Sequence, residues 1–263
     1  MEDTRTLVQR QFGAHAENYV TSADHAQGES LDELVARLPL GPSWRVLDVA
    51  TGGGHTALAL APHVGWVLAS DLTVPMLQAA RRLAARRSIA NLAYPAADAG
   101  VLPFANGSFD LVTCRLAAHH FPDCAAFTLE AARVLRPGGW LGLIDNVTPP
   151  EGRPARFVNA FEKLRDPSHH WEYAAADWEA FCRAAGLEPR VQVLYRKPLE
   201  FEPWCDRLSV PAATRLQLRA LLHHIPAVCQ PALQPALTGD PAAGRLTFSL
   251  GELLLLAQKP TRA

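Results

Sequence analysis

Charge of one sign is what this sequence has least of: 25 Lys and Arg stand against 26 Asp and Glu, a formal net charge of -1 over 263 residues. A general nucleic-acid binder is therefore not expected, because neutralising phosphates needs a surplus or a dense cluster of cations. Long apolar runs are missing too. The longest, Leu253 to Ala257, is far short of the roughly 20 residues that cross a bilayer, and Met1 to Arg5 is polar with no apolar stretch behind it. Neither a membrane span nor an export leader is expected. The five cysteines, at 114, 124, 182, 205 and 229, form no C-x-x-C pair. An odd, scattered set reads as buried thiols in a reducing compartment, the cytoplasm, rather than as a disulfide framework. What is present is a chain 49% hydrophobic with 6 Trp and 10 Phe, enough apolar surface to exclude disorder and to build one large domain, alone or with a cap.

Periodicity divides the chain. Leu7, Val8 and Phe12, then Leu31, Leu34, Val35 and Leu38, fall at helical spacings on either side of a polar stretch near residues 22–28, giving two helices and a loop. Short apolar runs then alternate with helical patterns. Strands are predicted at 45–50, 66–70, 92–96, 109–114 and 140–145, with helices at 55–63, from 74 to 87 and at 125–135. Such alternation implies right-handed βαβ units and a parallel sheet. Beyond Pro150 come helices near 155–164 and 176–185, a strand at 190–195, a helix at 212–224 and a last strand at 245–257. Arg81, Arg82, Arg86 and Arg87 read as the solvated face of a helix whose other side is Ala79, Ala80, Leu83 and Ala84.

The chemistry centres on Val46-Leu47-Asp48-Val49-Ala50-Thr51-Gly52-Gly53-Gly54-His55-Thr56-Ala57. Glycines between a strand and a helix let the backbone turn sharply and approach a ligand, with the helix N-terminus offering free N–H groups. Gly52, Gly54 and Ala57, with Asp71 further on, also satisfy a dinucleotide fingerprint. Asp48 at the end of the strand tilts the choice: a carboxylate disfavours a pyrophosphate neighbour and favours an ammonium or sulfonium. Asp71 and Asp98 keep milder alternatives, a helix cap and a turn residue.

The ordered set of Val46–Thr56, Asp71, Ala97-Asp98-Ala99 with Leu102-Pro103-Phe104, Ser108-Phe109-Asp110-Leu111-Val112 and Arg136-Pro137-Gly138-Gly139 resembles the class I S-adenosylmethionine-dependent methyltransferases, above all the quinone-biosynthesis type and its small-molecule relatives. The resemblance covers about residues 40–147. It implies an α/β, Rossmann-like, seven-stranded, mostly parallel sheet with helices on both faces. The boundaries expected are an N-terminal helical lid over 1–40, the cofactor domain over 41–200, a helical cap over 201–243 and a closing strand over 244–263. S-adenosylmethionine would meet Asp48 and Ala50, Thr51, Gly52 and Gly54 at its methionine end, Asp71 with Leu72 at the ribose, and Ala97, Asp98 and Ala99 at the adenine. Tyr19, Met76 and Arg115 complete that set. Ala50 is a departure, since many members carry glycine there.

Methyl transfer needs alignment and the exclusion of water, plus a base where the nucleophile must lose a proton. His119 and His120, after the fourth strand, are the catalytic candidates, with at most one expected to face the acceptor because adjacent residues on a helix diverge. Phe12, His25, His169 and Trp204 are the candidate acceptor contacts. No metal is expected: His169-His170 and His223-His224 match no ligand spacing with Cys124 or Cys229. About 45 residues separate Tyr195 from Arg245, where a hairpin would suffice, so this insertion packs over the active-site edge or against a second subunit as a homodimer. The reading is methyl transfer to a small, hydrophobic or aromatic acceptor at carbon, oxygen or nitrogen. The alternatives are a nicotinamide-dependent oxidoreductase on a similar fold and a protein that binds S-adenosylmethionine without methylating.

Overall fold

Five apolar runs flanked by helix on both sides have only one way to bury two faces at once, which is side by side in a parallel sheet. The computed structural model, which describes residues 4–21, 28–239 and 244–261, has that arrangement. β1 (Arg45–Val49) lies between β2 (Trp66–Ser70) and β4 (Phe109–Arg115), with β3 (Leu92–Ala93) outside β2 and β5 (Leu135–Val147) outside β4, all parallel. β8 (Arg245–Gln258) and β6 (Glu188–Glu200) follow antiparallel, giving the order β3-β2-β1-β4-β5-β8-β6. An eighth strand, the short β7 (Ala236–Thr238), pairs with β8 beyond the seven expected.

Alternate residues feed two cores. Val46, Leu111, Ile144 and Leu254 face one side with Leu34 and Leu60, while Leu47, Val112, Leu143 and Leu255 face the other with Phe127 and Trp178. The covering helices are α1 (Thr4–Thr21), α2 (Glu29–Arg37), α3 (His55–Leu60), α4 (Val74–Arg86), α5 (Cys124–Val134), α6 (Arg153–Arg165) and α7 (Ala175–Ala184). The third strand is shorter than its sequence implies. Pro95 cannot donate to a ladder, so pairing stops at Ala93 and resumes only as a bridge between Asp71 and Ala96.

β6 and β8 overrun the sheet. Their pairing continues from Arg196↔Gly251 to Glu200↔Thr247, past the last β5 partner at Val147↔Gly251. On this overhang sit α8 (Phe201–Asp206), α9 (Ala212–His223) and α10 (Gln230–Leu233). They form a separate core with Val158 and Phe161 of α6 and with Leu199, Leu246 and Phe248 of the overhang. Trp204 is its centre, stacked on Phe161 at 5.1 Å and edge-on to Phe248 at 4.9 Å.

The turn from β1 into α3 depends on Gly54, at φ 84, where an added Cβ would stand 2.9 Å from Ala80 Cβ in α4. Gly54→Ala is expected to cost about 2–3 kcal/mol, from the left-handed backbone plus overpacking, lowering the thermal midpoint by roughly 4–12 °C. Gly52→Ala, whose Cβ meets nothing within 4 Å at φ 53, should cost only about 1–2 kcal/mol. Calorimetric melting of the two variants checks the contrast.

Candidate functional site

The carboxyl ends of β1, β2 and β4, together with the segment after β3, open onto a cavity of about 280 Å³ covered by α1. Its walls include Ala50, Thr51 and Gly52 from the glycine loop, Asp71, Leu72 and Met76 after β2, Ala97, Asp98 and Ala99 after β3, and Arg115 at the end of β4. Two sites of backbone strain face it: Ala50 at φ 52 and Leu116 at φ 53, both left-handed without being glycine. The conformation at 50 accounts for the advantage of glycine at that position.

Asp71 is not the cap of the following helix, whose N-cap is Thr73. Its carboxylate accepts from Thr73 N at 2.8 Å and from Gly52 N at 2.9 Å, tying the loop after β2 to the glycine loop. Burial raises its pKa against those two bonds. Asp98 accepts from Gly100 N at 2.8 Å, the turn role, and also pairs with Arg5 of α1 across the mouth of the cavity. Gln9 adds a bond from its side chain to Leu72 O at 3.1 Å, so α1 is held to the rim at two places.

Two expected contacts are set back from the wall. Gly54 lies beneath the loop against Ala80. Asp48 is buried behind Thr51, accepting the Thr51 hydroxyl at 2.6 Å and the Thr113 hydroxyl at 2.7 Å. Burial pushes its pKa up to about 6, and the two hydroxyls only partly oppose it. Between the ordinary value of 3.8 and about 6 the folded chain keeps a proton that the unfolded chain has lost. Its contribution to stability is thus full below pH 3.8 and is lost as pH rises through 6, by on the order of 3 kcal/mol. Urea unfolding from pH 4 to 7.5 should show the wild type losing stability relative to Asp48→Asn through that window and no further above it. A constant difference would mean an ordinary carboxyl.

A second cavity, of about 70 Å³, adjoins the first: Phe12, Leu116 and His120 border both. His119, His169 and Trp204 border the small one, with Asp166 and Arg207. Both histidines of the pair border it, where only one was expected: residues 118–120 make a single short 3-10 turn and not a continuous helix. His119 donates from Nδ1 to Asp145 Oδ1 at 2.6 Å, and its backbone N–H bonds Asp145 Oδ2 at 2.8 Å. Burial alone would lower the His119 pKa, but Asp145 outweighs it and holds the ring protonated, with a pKa up to about 9.

His120 is neutral, its pKa pushed down to about 4 by burial and by the charge of His119. The Ser168 hydroxyl donates to Asp166 at 2.6 Å, so its oxygen accepts from His120 Nδ1 at 3.3 Å, leaving Nε2 of His120 as the basic nitrogen. Phe12 packs edge-on to the His120 ring at 4.9 Å. Trp204 is chiefly a core residue, with the Arg165 guanidinium 4.4 Å above its ring. The Tyr19 side chain and His25 lie outside the described residues.

Several residues here had no sequence signal. Asp145, ending β5, carries the one that was available, an acid at the carboxyl edge of the sheet. Arg5, Asp166 and Ser168 had none.

Comparison with known proteins agrees on the family. Residues 47–143 match the family profile described as a methyltransferase domain. The uncharacterized methyltransferase YcgJ of Bacillus subtilis is 35% identical over 213 residues, 81% of this chain and 84% of YcgJ. A crystal structure of a Bacillus halodurans protein assigned to the methyltransferases superposes with a TM-score of 0.84 at 38% identity, covering 89% of this chain and 100% of that one. Over a shorter stretch, 117 residues, the demethylmenaquinone methyltransferase of a Mycobacterium species (strain KMS) is 40% identical, covering 44% of this chain and 48% of that protein.

Proposed function

Because this chain belongs to the class I S-adenosylmethionine-dependent methyltransferases, we propose that its large cavity takes S-adenosylmethionine and its small one the acceptor. The observation that carries this reading is the pair of adjoining cavities sharing Phe12, Leu116 and His120, one walled by the glycine loop and the other by histidines. The residues present fit the cofactor. The space beyond Gly52 is open, and Asp71, Asp98 and Asp123 line the wall with Asp48 behind it. Asp98 is paired with Arg5 and Arg115 also lines the wall, so the carboxylate charge beside the glycine loop is that of Asp71 with Asp48 behind it, which suits a sulfonium and an ammonium better than a dinucleotide diphosphate.

Asp71 would hold the ribose hydroxyls, the 97–99 segment the adenine, and the glycine loop the methionine end, with Asp48 acting through Thr51. When bound, the cofactor supplies a methyl group on a positively charged sulfur. The rest falls to the chain. Phe12 and α1 exclude water from the path between the cavities. His120 takes a proton from the acceptor at Nε2, while the His119–Asp145 pair holds positive charge beside the oxygen or carbon that becomes electron-rich.

Phe12, Leu116, Leu199, Trp204 and Leu250 give the small cavity one apolar side, while the rest of its wall is polar and charged, with the histidines, Asn146 and Lys197 among it. A small ring or unsaturated acceptor with one ionisable atom matches it. The test is calorimetric binding of S-adenosylmethionine, followed by S-adenosylhomocysteine release with a panel of phenols, quinols and amines. Binding of NADH in place of S-adenosylmethionine would overturn the proposal; cofactor binding with no turnover on any acceptor would favour the non-methylating alternative.

A further inference from the structure

Behind the small cavity lies a cluster that the methyl-transfer reading does not use. Glu162 of α6, His169 in the loop after it and Glu172 further along that loop each offer a ligand atom, all within 4.8 Å of one another. Their residues are 4%, 1% and 1% exposed. Among the described residues this is the only such group of three.

Two observations set it apart from an ordinary buried ion pair. Glu162 Oε1 and both carboxylate oxygens of Glu172 lack a hydrogen-bond partner, though the Asn146 side chain and the His119 charge lie near Glu172. Arg165 approaches only the other Glu162 oxygen, at 3.9 Å. A buried carboxylate without partners costs several kcal/mol. The second observation is that the ligands are held by a clamp. Asn159 Nδ2 donates to Ala155 O and Glu172 O, so its Oδ1 is the acceptor, taking Nε2–H of His169 at 2.9 Å and the backbone N–H of Glu172 at 2.6 Å. With Nε2 committed, Nδ1 of His169 is left unprotonated, the state in which imidazole ligates a metal.

We propose that Glu162, His169 and Glu172 bind one divalent transition-metal cation of the Mn²⁺ to Zn²⁺ range. One imidazole with two carboxylates suits these ions better than Mg²⁺, which prefers an all-oxygen octahedron. Bonds of about 2.0–2.2 Å require only a small inward movement of the three groups from their present separation. Glu162 and His169 also border the small cavity. A remaining coordination position would take water there, or an oxygen of the acceptor; that last role rests on the methyl-transfer reading, whereas cation binding does not.

The test uses the full chain, stripped with EDTA and dialysed. Titration with MnCl2, followed by electron paramagnetic resonance of free Mn²⁺, should show one tightly held ion per chain, and ZnCl2 one ion by elemental analysis after gel filtration. Either should raise the melting temperature, EDTA should reverse the rise, and equimolar MgCl2 should give none. Glu172→Gln keeps the shape and removes the charge. It should melt higher than wild type without metal and bind Mn²⁺ at least about 100-fold more weakly. His169→Gln should weaken binding similarly, and Glu162→Gln serves in place of either variant that does not fold. No uptake by the wild type, a preference for Mg²⁺, or uptake unchanged in these variants would overturn the proposal. None of these readouts involves S-adenosylmethionine, so failure here leaves the methyl-transfer reading standing.

Discussion

Asp71→Ala should weaken S-adenosylmethionine binding by about 100-fold or more, measured by calorimetry at neutral pH. A buried carboxylate bonded to two hydroxyls contributes roughly 1.5–3 kcal/mol per charge-assisted bond, and alanine removes both. The substitution has a second effect: it frees Gly52 N and Thr73 N, which now share the carboxylate. Asp71→Asn separates the two. It retains a side chain of the same size that still bonds part of the loop, so most of the fold's stability returns while the affinity does not. Wild-type affinity in either variant would remove Asp71 from the cofactor site.

His120→Ala should lower kcat by about 10²- to 10⁴-fold, the usual worth of a positioned acid or base, with the cofactor affinity nearly unchanged. Place and tautomer single out His120. His120 is the histidine that borders both cavities, and the Ser168–Asp166 pair fixes its proton on Nδ1. Phe12 packs on its ring, so alanine also loosens α1 over the cavity. His120→Gln, which keeps more of that packing, should recover KM but not kcat. The measurement is S-adenosylhomocysteine release under saturating cofactor, with whichever acceptor the panel yields. Full turnover by both variants would leave acceptor alignment alone as the source of the rate.

The half of the molecule around the large cavity was legible because its signals are local. Short apolar runs such as Val46 to Val49, closed by the glycine loop, and Phe109 to Cys114 define buried strands within a dozen residues. Ala97–Ala99 and Asp71 reach the same cavity because parallel strands bring all their carboxyl ends to one edge. The small cavity follows no such rule. Glu162, His169 and Glu172 meet His119 only because the loop after α6 folds back, His170 N and Trp171 N both bonding His119 O. Nothing in the spacing of those residues encodes that return. The overhang of β6 and β8 was also hidden, since its extent depends on pairing between segments some 50 residues apart, as at Glu200↔Thr247.

That overhang divides the labour of the two cavities along the chain. The large one draws its walls from the sheet edge and α1, while Trp204 of α8 and Arg207 just after it enter the small one from strands that extend past the sheet. The cap has its own core, so residues 201–233 can be rebuilt around Phe161 and Phe248 without disturbing a side chain that faces the glycine loop. On the proposed reading of the two cavities, acceptor preference can therefore diverge among relatives that keep one cofactor, and chains that share the methyltransferase profile over 47–143 need share no acceptor at all.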